Sequence, residues 1–350
     1  MGPQELLISL GSRCQYKCRF CVYLTKKHGD DLAFPVWADV LRRAYKAGTR
    51  SLEIGGQGEP TLSTDFLKII QLARKLGFKI RLLTNAQDRE VLANALPALE
   101  ALTVNMNALT PAAFTAVHGV PSKTALPRAI KNIIWAAQAI REQALATDLR
   151  VSYVIDKLSW KGALDFPTRL AALLKAQDKA MSPVFVNFHH MLVVPGNYDL
   201  CPGPADLTRL LKAFIKAKDD PFLKAHTNSA GFIRHTQKVL AFQRVIGPFS
   251  SDTPPGTRRA RTARLLGSRS SCDACCKVIF VDCNGDVFGC YNPTRMVYGL
   301  APEKDTLFYG NVHRVPFRRM LAHARTARPL QVDLNDRYWK VCVICGLKSS

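Results

Sequence analysis

From residue 5 to about residue 190 the chain alternates short β-branched or apolar runs with longer amphipathic ones. Runs too short for helices, separated by helical periods, allow little besides βα units laid around a parallel sheet. Six strands are expected, at 5–10, 51–55, 79–84, 102–106, 150–155 and 184–189, with helical patterns at roughly 36–47, 64–76, 88–96, 124–145 and 162–176. Gly48 and Gly77 stand where a left-handed residue would end a helix. Six units are too few to close an eight-stranded barrel. The expectation is therefore an α/β fold built as a partial, curved (β/α)6 barrel, with functional residues at the C-terminal strand ends.

After His190 the rhythm stops. Val194-Pro-Gly-Asn-Tyr and Cys201-Pro-Gly-Pro break the chain, a helical stretch follows from about 205 to 242, and Pro, Gly and Ser dominate 247–256. A chain of 350 residues also exceeds the size at which one core usually stops growing. Three segments are expected: the barrel over 1–200, a helical bridge and basic linker over 201–265, and a small cysteine-rich α+β domain over 266–350. A hairpin in the last should turn at Asn284-Gly285.

Eleven cysteines are too sparse for a disulfide scaffold in a chain of this length, and their small groups read as metal ligands in a reducing compartment. Cys14, Cys18 and Cys21 form a Cys-x3-Cys-x2-Cys triplet directly after the first expected strand. Three thiolates on one short loop can wrap one face of a cubane iron–sulfur cluster and leave its fourth iron open. The competing reading is a zinc site in which His28 completes a Cys3His set.

Cys14-Gln-Tyr-Lys-Cys18-Arg-Phe-Cys21 resembles the signature of the radical S-adenosylmethionine (SAM) superfamily, including the aromatic residue before the last cysteine. The resemblance implies a [4Fe-4S] cluster whose free iron is chelated by SAM, and one-electron cleavage of SAM to a 5'-deoxyadenosyl radical that takes a hydrogen atom from substrate. It would set Phe20 against the adenine. Gly55-Gly-Gln-Gly-Glu-Pro-Thr61 is similar to the family's glycine-rich segment, in which Gly56 and Gly58 would let backbone approach the methionine end of SAM and Glu59 would help hold its ammonium.

Leu83-Thr-Asn-Ala86 resembles the family's Thr-Asn-Gly, making Thr84 and Asn85 cofactor candidates as well as natural turn caps. Val104-Asn-Met-Asn107 stands where many members have Val-Ser-Leu-Asp, so Asn105 or Asn107 would reach a ribose hydroxyl or the SAM carboxylate. The fifth strand runs into Lys157-Leu-Ser-Trp160, without the Asn that relatives often carry there. His189 and His190 close the sixth strand as candidates to orient substrate or shuttle a proton. Alternation along a strand lets at most one of them face the cavity.

Seven more cysteines, Cys272, Cys275, Cys276, Cys283, Cys290, Cys342 and Cys345, are confined to the last eighty or so residues, which points to a second metal site, with zinc again the alternative. Cys272, the Gly285 turn and Cys290 resemble the first half of the SPASM or Twitch auxiliary domain of many radical SAM enzymes. By that resemblance Cys272 or Cys275, with Cys290, Cys342 and Cys345, would hold one auxiliary [4Fe-4S] cluster; Cys276 could also replace Cys272. Five residues follow Cys345, too few for the tail of a two-cluster version, so the Twitch-like form is expected. Cys201 reads as an unliganded thiol.

Forty-nine Lys and Arg against 27 Asp and Glu give a net charge of +22, a field that would draw an anionic substrate, a nucleic acid or an anionic surface. Arg258, Arg259, Arg261, Arg264 and Arg269 fall in one acid-free stretch and Arg314, Arg318, Arg319, Arg325 and Arg328 in another. A solvated basic face is the plain reading of both. No aromatic residue interleaves with 258–269, which disfavours RNA. Only thirteen residues precede Cys14, so the N-terminal peptide-recognition domain of many peptide-modifying relatives is not expected, and a peptide substrate is not favoured.

The substrate expected is a small, anionic biosynthetic intermediate, with a peptide or RNA as rivals and an external donor such as flavodoxin or ferredoxin for the electron. A metal-containing nucleic-acid-binding protein is the non-enzymatic rival. No apolar run approaches the roughly 18 residues of a membrane span, and residues 1–10 do not read as a secretory signal, so a cytoplasmic, membrane-free protein is expected.

Overall fold

The computed structural model describes residues 3–23, 31–191, 198–246, 271–272, 277–290, 307–326 and 330–331. The repeating unit is present six times, with one more helix than the sequence rhythm showed. In chain order the elements are β1 (Glu5–Ile8), α1 (Phe34–Lys46), β2 (Ser51–Ile54), α2 (Phe66–Leu76), β3 (Lys79–Thr84), α3 (Arg89–Ala95), β4 (Ala101–Asn105), α4 (Pro111–His118), α5 (Ser122–Glu142), β5 (Asp148–Ile155), α6 (Phe166–Gln177) and β6 (Phe185–His190). Three helices follow β6: α7 (Pro204–Lys216), α8 (Pro221–His226) and α9 (Ser229–Ile246). Then come β7 (Ser271–Cys272), β8 (Val278–Val281), β9 (Asp286–Phe288), β10 (Phe308–Asn311), α10 (Phe317–Thr326) and β11 (Leu330–Gln331).

One sheet of nine strands carries the fold, in the order β10-β9-β8-β1-β2-β3-β4-β5-β6. Strands β1 to β6 are parallel to one another, β8 joins β1 in parallel with Leu6 opposite Ile279, and β9 and β10 return antiparallel. The hairpin turns at Asn284-Gly285, with Gly285 at φ +84 where a Cβ would lie 2.6 Å from Val312 Cγ2. The sheet of the barrel thus continues into the cysteine-rich segment.

Alternation along the strands decides what each face buries. Leu52, Ile54, Ile80, Leu82, Val104, Val151, Ile155, Val186 and Phe188 are buried in the core, together with Trp37 of α1, Phe66 of α2 and Ile133 of α5. The opposite positions, Glu53, Arg81, Thr103, Asn105, Arg150, Ser152, Asn187 and His189, are polar and line a cavity of about 830 Å³. A parallel sheet covered on both faces would read apolar throughout. The polar alternates here are the imprint of an open barrel interior.

In α10, Phe317, Met320, Leu321 and Ala324 are buried while Arg318 and Arg319 are exposed, so this part of the second basic stretch is the solvated face of an amphipathic helix. Residues 258–269 lie outside the described residues.

Candidate functional site

The loop that carries the cysteine triplet, termed the cluster loop for its proposed role, leaves β1 and is held down from two sides. On one side, Lys17 N–H donates to the carbonyl of His118 (2.9 Å) and Arg19 N–H to that of Val117 (3.0 Å), the last turn of α4. Gly119 follows that turn at φ +63, and a Cβ there would lie 2.5 Å from the carbonyl oxygen of Lys17. On the other, Glu59 N–H donates to the carbonyl of Arg13 (2.8 Å), and a Cβ on Gly58 (φ +71) would lie 2.2 Å from that of Gly11. Gly58 therefore owes its identity to contact with the cluster loop's own backbone.

Cys14, Cys18 and Cys21 all open on the barrel cavity, beside Phe20, Gly56, Gly58, Glu59, Thr84, Asn85, Asn105 and His189. Tyr16 N–H donates to Cys14 Sγ (3.4 Å), and Asn85 Nδ2 lies 3.9 Å from it. Burial pushes the Cys14 thiol up to about 11 and the Cys18 thiol higher still, the latter helped by the neighbouring Cys21 and Cys14. Among the described residues no three Cys, His, Asp or Glu side chains converge on one point as a single zinc ion requires. His28, the fourth ligand of the zinc reading, lies outside the described residues.

Glu59 is buried, and its carboxylate joins two strand ends. Its Oε1 accepts from Thr84 Oγ1 (2.6 Å), Thr61 Oγ1 (2.9 Å) and Thr61 N–H (3.3 Å), and its Oε2 from Asn85 N–H (2.8 Å). Burial raises its pKa while these four donors pull the other way. Thr84 in turn accepts from Ala86 N–H (3.0 Å) and Asn85 Oδ1 from Gln87 N–H (3.2 Å), so both perform the capping work of their residue types as well as lining the cavity. Ala86 adopts φ +56, the left-handed conformation that glycine reaches freely and that costs other residues roughly 1–2 kcal/mol. The turn keeps the geometry of a Thr-Asn-Gly with alanine in the last place.

Asn105, the last residue of β4, and Asn107 just beyond it have different surroundings. Asn107 gives both ends of its amide to Val154, Nδ2 donating to the carbonyl (3.4 Å) and Oδ1 accepting from the N–H (3.2 Å), which extends the sheet to β5. Asn105 faces the cavity. Both histidines of β6 reach the cavity wall: His189 has the inward register of Asn187, and His190 in addition meets Thr236 Oγ1 through Nε2 (2.9 Å) and stacks on Phe232 (4.9 Å between centroids), both on α9.

Asp156 and His118 stood outside the sequence reading. Asp156, fully buried just beyond β5, accepts Leu158 N–H (2.9 Å) and Ser159 N–H (2.7 Å) on Oδ1 and offers Oδ2 to Arg19 Nε at 3.2 Å. The Asp–Ser turn thus pairs with the cluster loop. His118 lies beside Cys18, its Nδ1 3.2 Å from Sγ, and burial lowers its pKa to about 4. The signal for α4 was present in Thr110-Pro111 and Gly119, a helix start and stop around eight residues.

Of the second cysteine set, Cys283 and Cys290 are buried at the two ends of the hairpin, and the backbone of Cys272 pairs with Leu330. Cys275, Cys276, Cys342 and Cys345 lie outside the described residues. Tyr23 connects the regions: burial, and then the charges of Cys21 from the first set and Asp282, Cys283 and Cys290 from the hairpin, keep its phenol from ionising. Glu5, Glu53 and Arg81 form an ion-paired group in the barrel interior, with Arg81 Nη2 2.9 Å from Glu53, and Arg150 pairs with Asp148. Among the described residues no helix is long and apolar enough to cross a membrane.

Residues 8–151 match the family model of the Radical SAM superfamily. A probable GTP 3',8-cyclase of Sulfolobus acidocaldarius is 25% identical over 167 residues, which is 47% of this chain and 50% of that protein. The chain thus spans about half the length of this curated relative. Among solved structures, Streptococcus suis SuiB bound to S-adenosylmethionine superposes with a TM-score of 0.60 at 17% identity, over 97% of this chain and 72% of that one. The native enzyme anSMEcpe with bound AdoMet and Cp18Cys peptide gives 0.56 at 17% identity, over 97% and 88%. At such identities these likenesses speak for the fold. Members of that superfamily are enzymes that use a [4Fe-4S] cluster and SAM.

Proposed function

From the premise that residues 8–151 are a radical SAM domain, we propose that this enzyme cleaves SAM reductively and takes a hydrogen atom from a small polar, anionic substrate held in its barrel. One observation carries the reading: the three thiols of the triplet, the Gly56–Glu59 turn, the Thr84-Asn85 strand end, Asn105 and His189 all open on a single cavity of about 830 Å³. Small-ligand sites span roughly 300–1,000 Å³, and this one is near the upper end, with room for cofactor and substrate together. When bound, the cluster and SAM supply the one-electron chemistry and the hydrogen-abstracting carbon radical.

The chain's own residues do the rest. Cys14, Cys18 and Cys21 hold the cluster on a loop anchored by α4 and by Gly58. Phe20 flanks the adenine, and Asn85 and Asn105 present amides to the polar groups of SAM. Glu59, with both oxygens occupied by Thr61, Thr84 and Asn85, fixes the strand ends that receive SAM and presents its remaining lone pairs toward the ammonium. Deeper in the barrel, Thr103, Asn187 and His189 offer donors to an oxygen-rich anionic substrate, while Arg150, also on the cavity wall, is paired with Asp148. Of the two histidines on the cavity wall, His189 is proposed to orient the substrate or move a proton, while His190 is tied to α9 through Thr236 and Phe232.

The cysteine-rich segment is proposed to hold one auxiliary [4Fe-4S] cluster through Cys272 or Cys275 with Cys290, Cys342 and Cys345, exchanging electrons with the substrate radical. Flavodoxin or ferredoxin would supply the first electron, in the cytoplasm. The second reading, a peptide substrate, is favoured by the fold shared with SuiB, solved bound to its precursor peptide SuiA, and with the peptide-bound anSMEcpe.

Anaerobic reconstitution, iron and sulfide analysis and incubation with SAM and dithionite test the reading. About eight irons per chain are expected from two four-iron clusters, with 5'-deoxyadenosine formed and its formation abolished by Cys14→Ala. Zinc with no SAM cleavage would overturn it. Faster cleavage with a low-molecular-mass extract fraction supports the small substrate, and faster cleavage with a peptide fraction supports the second reading.

A further inference from the structure

His118 sits at the end of α4 with its ring fully enclosed. Phe114 lies 4.5 Å, Tyr16 5.2 Å and Phe20 6.5 Å from it between ring centroids, and its Nδ1 is 3.2 Å from Cys18 Sγ. The other ring nitrogen settles where the proton lies. Asn107 N–H points at Nε2 from 3.2 Å, and an N–H can only donate, so Nε2 must be the bare acceptor. A neutral imidazole then carries its one proton on Nδ1, directed at Cys18.

We propose that His118 donates a hydrogen bond through Nδ1 to the Cys18 thiolate and thereby raises the reduction potential of the cluster that Cys18 holds. The inference rests on the reading of Cys18 as a cluster ligand. A donor aimed at a ligating sulfur stabilises negative charge there, and the reduced cluster carries one electron more, so the reduced state gains more from the bond. The aromatic rings enclose the imidazole itself, so its Nδ1 is held on the sulfur rather than on solvent. Two backbone bonds, from Lys17 to His118 and from Arg19 to Val117, keep the loop in register with the ring. The helix that positions the loop therefore also tunes what the loop holds, which makes His118 a positioning residue for electron uptake.

The test is an EPR-monitored redox titration of the anaerobically reconstituted full chain, as wild type, His118→Phe and His118→Asn. Phe keeps a ring and removes the donor, while the Asn amide nitrogen can take the place of Nδ1. Poised at the wild-type midpoint, the ratio of reduced to oxidised cluster should fall about three- to tenfold in His118→Phe, tenfold being about 59 mV for a one-electron couple. His118→Asn should restore most of it. An unchanged ratio in a loaded His118→Phe chain overturns the proposal. Should that variant fail to load, pulsed EPR of the reduced wild-type cluster in chain labelled with 15N-histidine decides: a weak histidine coupling supports the hydrogen bond, and no coupling overturns it. If the wild-type triplet holds no four-iron cluster, the functional reading itself fails, which is a different result from an unchanged potential in the variant.

Discussion

Glu59 uses both carboxylate oxygens within the protein, which makes the glycine-rich turn a joint between strands as well as a proposed cofactor contact. Glu59→Gln keeps the shape but sets an NH2 group against donors that point inward, and two facing donors cannot bond. Leaving a buried donor unsatisfied costs about 1–3 kcal/mol, so the urea midpoint of the Gln variant should drop with the m-value unchanged. An equal midpoint would mean that the turn does not depend on the charge. Cys201 offers a second check. Burial raises its thiol to about 12, which disfavours the reactive thiolate at pH 8, and Gln243 Nε2 lies 3.7 Å from its sulfur. Iodoacetamide at pH 8 should label Cys201 far more slowly in the native chain than in urea, read by peptide mass spectrometry. Equal rates would show an open thiol.

The helix that the sequence reading passed over, α4, is the one that anchors the cluster loop. Gly119→Ala forces a Cβ to within 2.5 Å of a carbonyl oxygen and into the left-handed region, a backbone penalty of roughly 1–2 kcal/mol before the clash is counted. The expected outcome is a less stable chain that retains less iron per mole after desalting. Full iron retention would show that the loop does not lean on α4. The six strands were legible because alternation of apolar and polar residues is a local property: Ile80-Arg81-Leu82 announces itself whatever lies nearby. α4 was not, since eight residues carry little period and its Thr-Pro start and Gly stop matter only once a partner is known. For the same reason Cys14, Cys18 and Cys21 were visible as a spaced motif, while His118, a hundred residues from Cys18, and Asp156, paired with Arg19, were not. That Asn105 lines the cavity while the Asn107 amide bonds the backbone of Val154 is a matter of where β4 ends, and parity alone does not separate His189 from His190, which both reach the cavity wall.

Across the whole molecule, what the sequence divides near residue 266 the sheet does not. Strand β8 pairs with β1 along its length, with further backbone bonds from Gln4 to Lys277 (2.7 Å) and from Ser9 to Val281 (3.1 Å), and Leu7 packs with Phe280 and Phe288 in a small core of its own. Without the hairpin, β1 would be an edge strand offering unpaired N–H and C=O groups beside a bare leucine, the arrangement that templates edge-to-edge association. The proposed segment boundary can thus mark a change of role without marking where folding units part. A chain ended after residue 246 keeps the barrel and the bridge and removes the hairpin. Exposing Leu7 alone forfeits about 1.5–3 kcal/mol, which for a chain of this size lowers the melting temperature by roughly 3–12 °C. Sedimentation should show the shortened chain self-associating. A monomer with the full-length melting temperature would mean instead that the barrel is a folding unit in its own right and that β8 only rests on its edge.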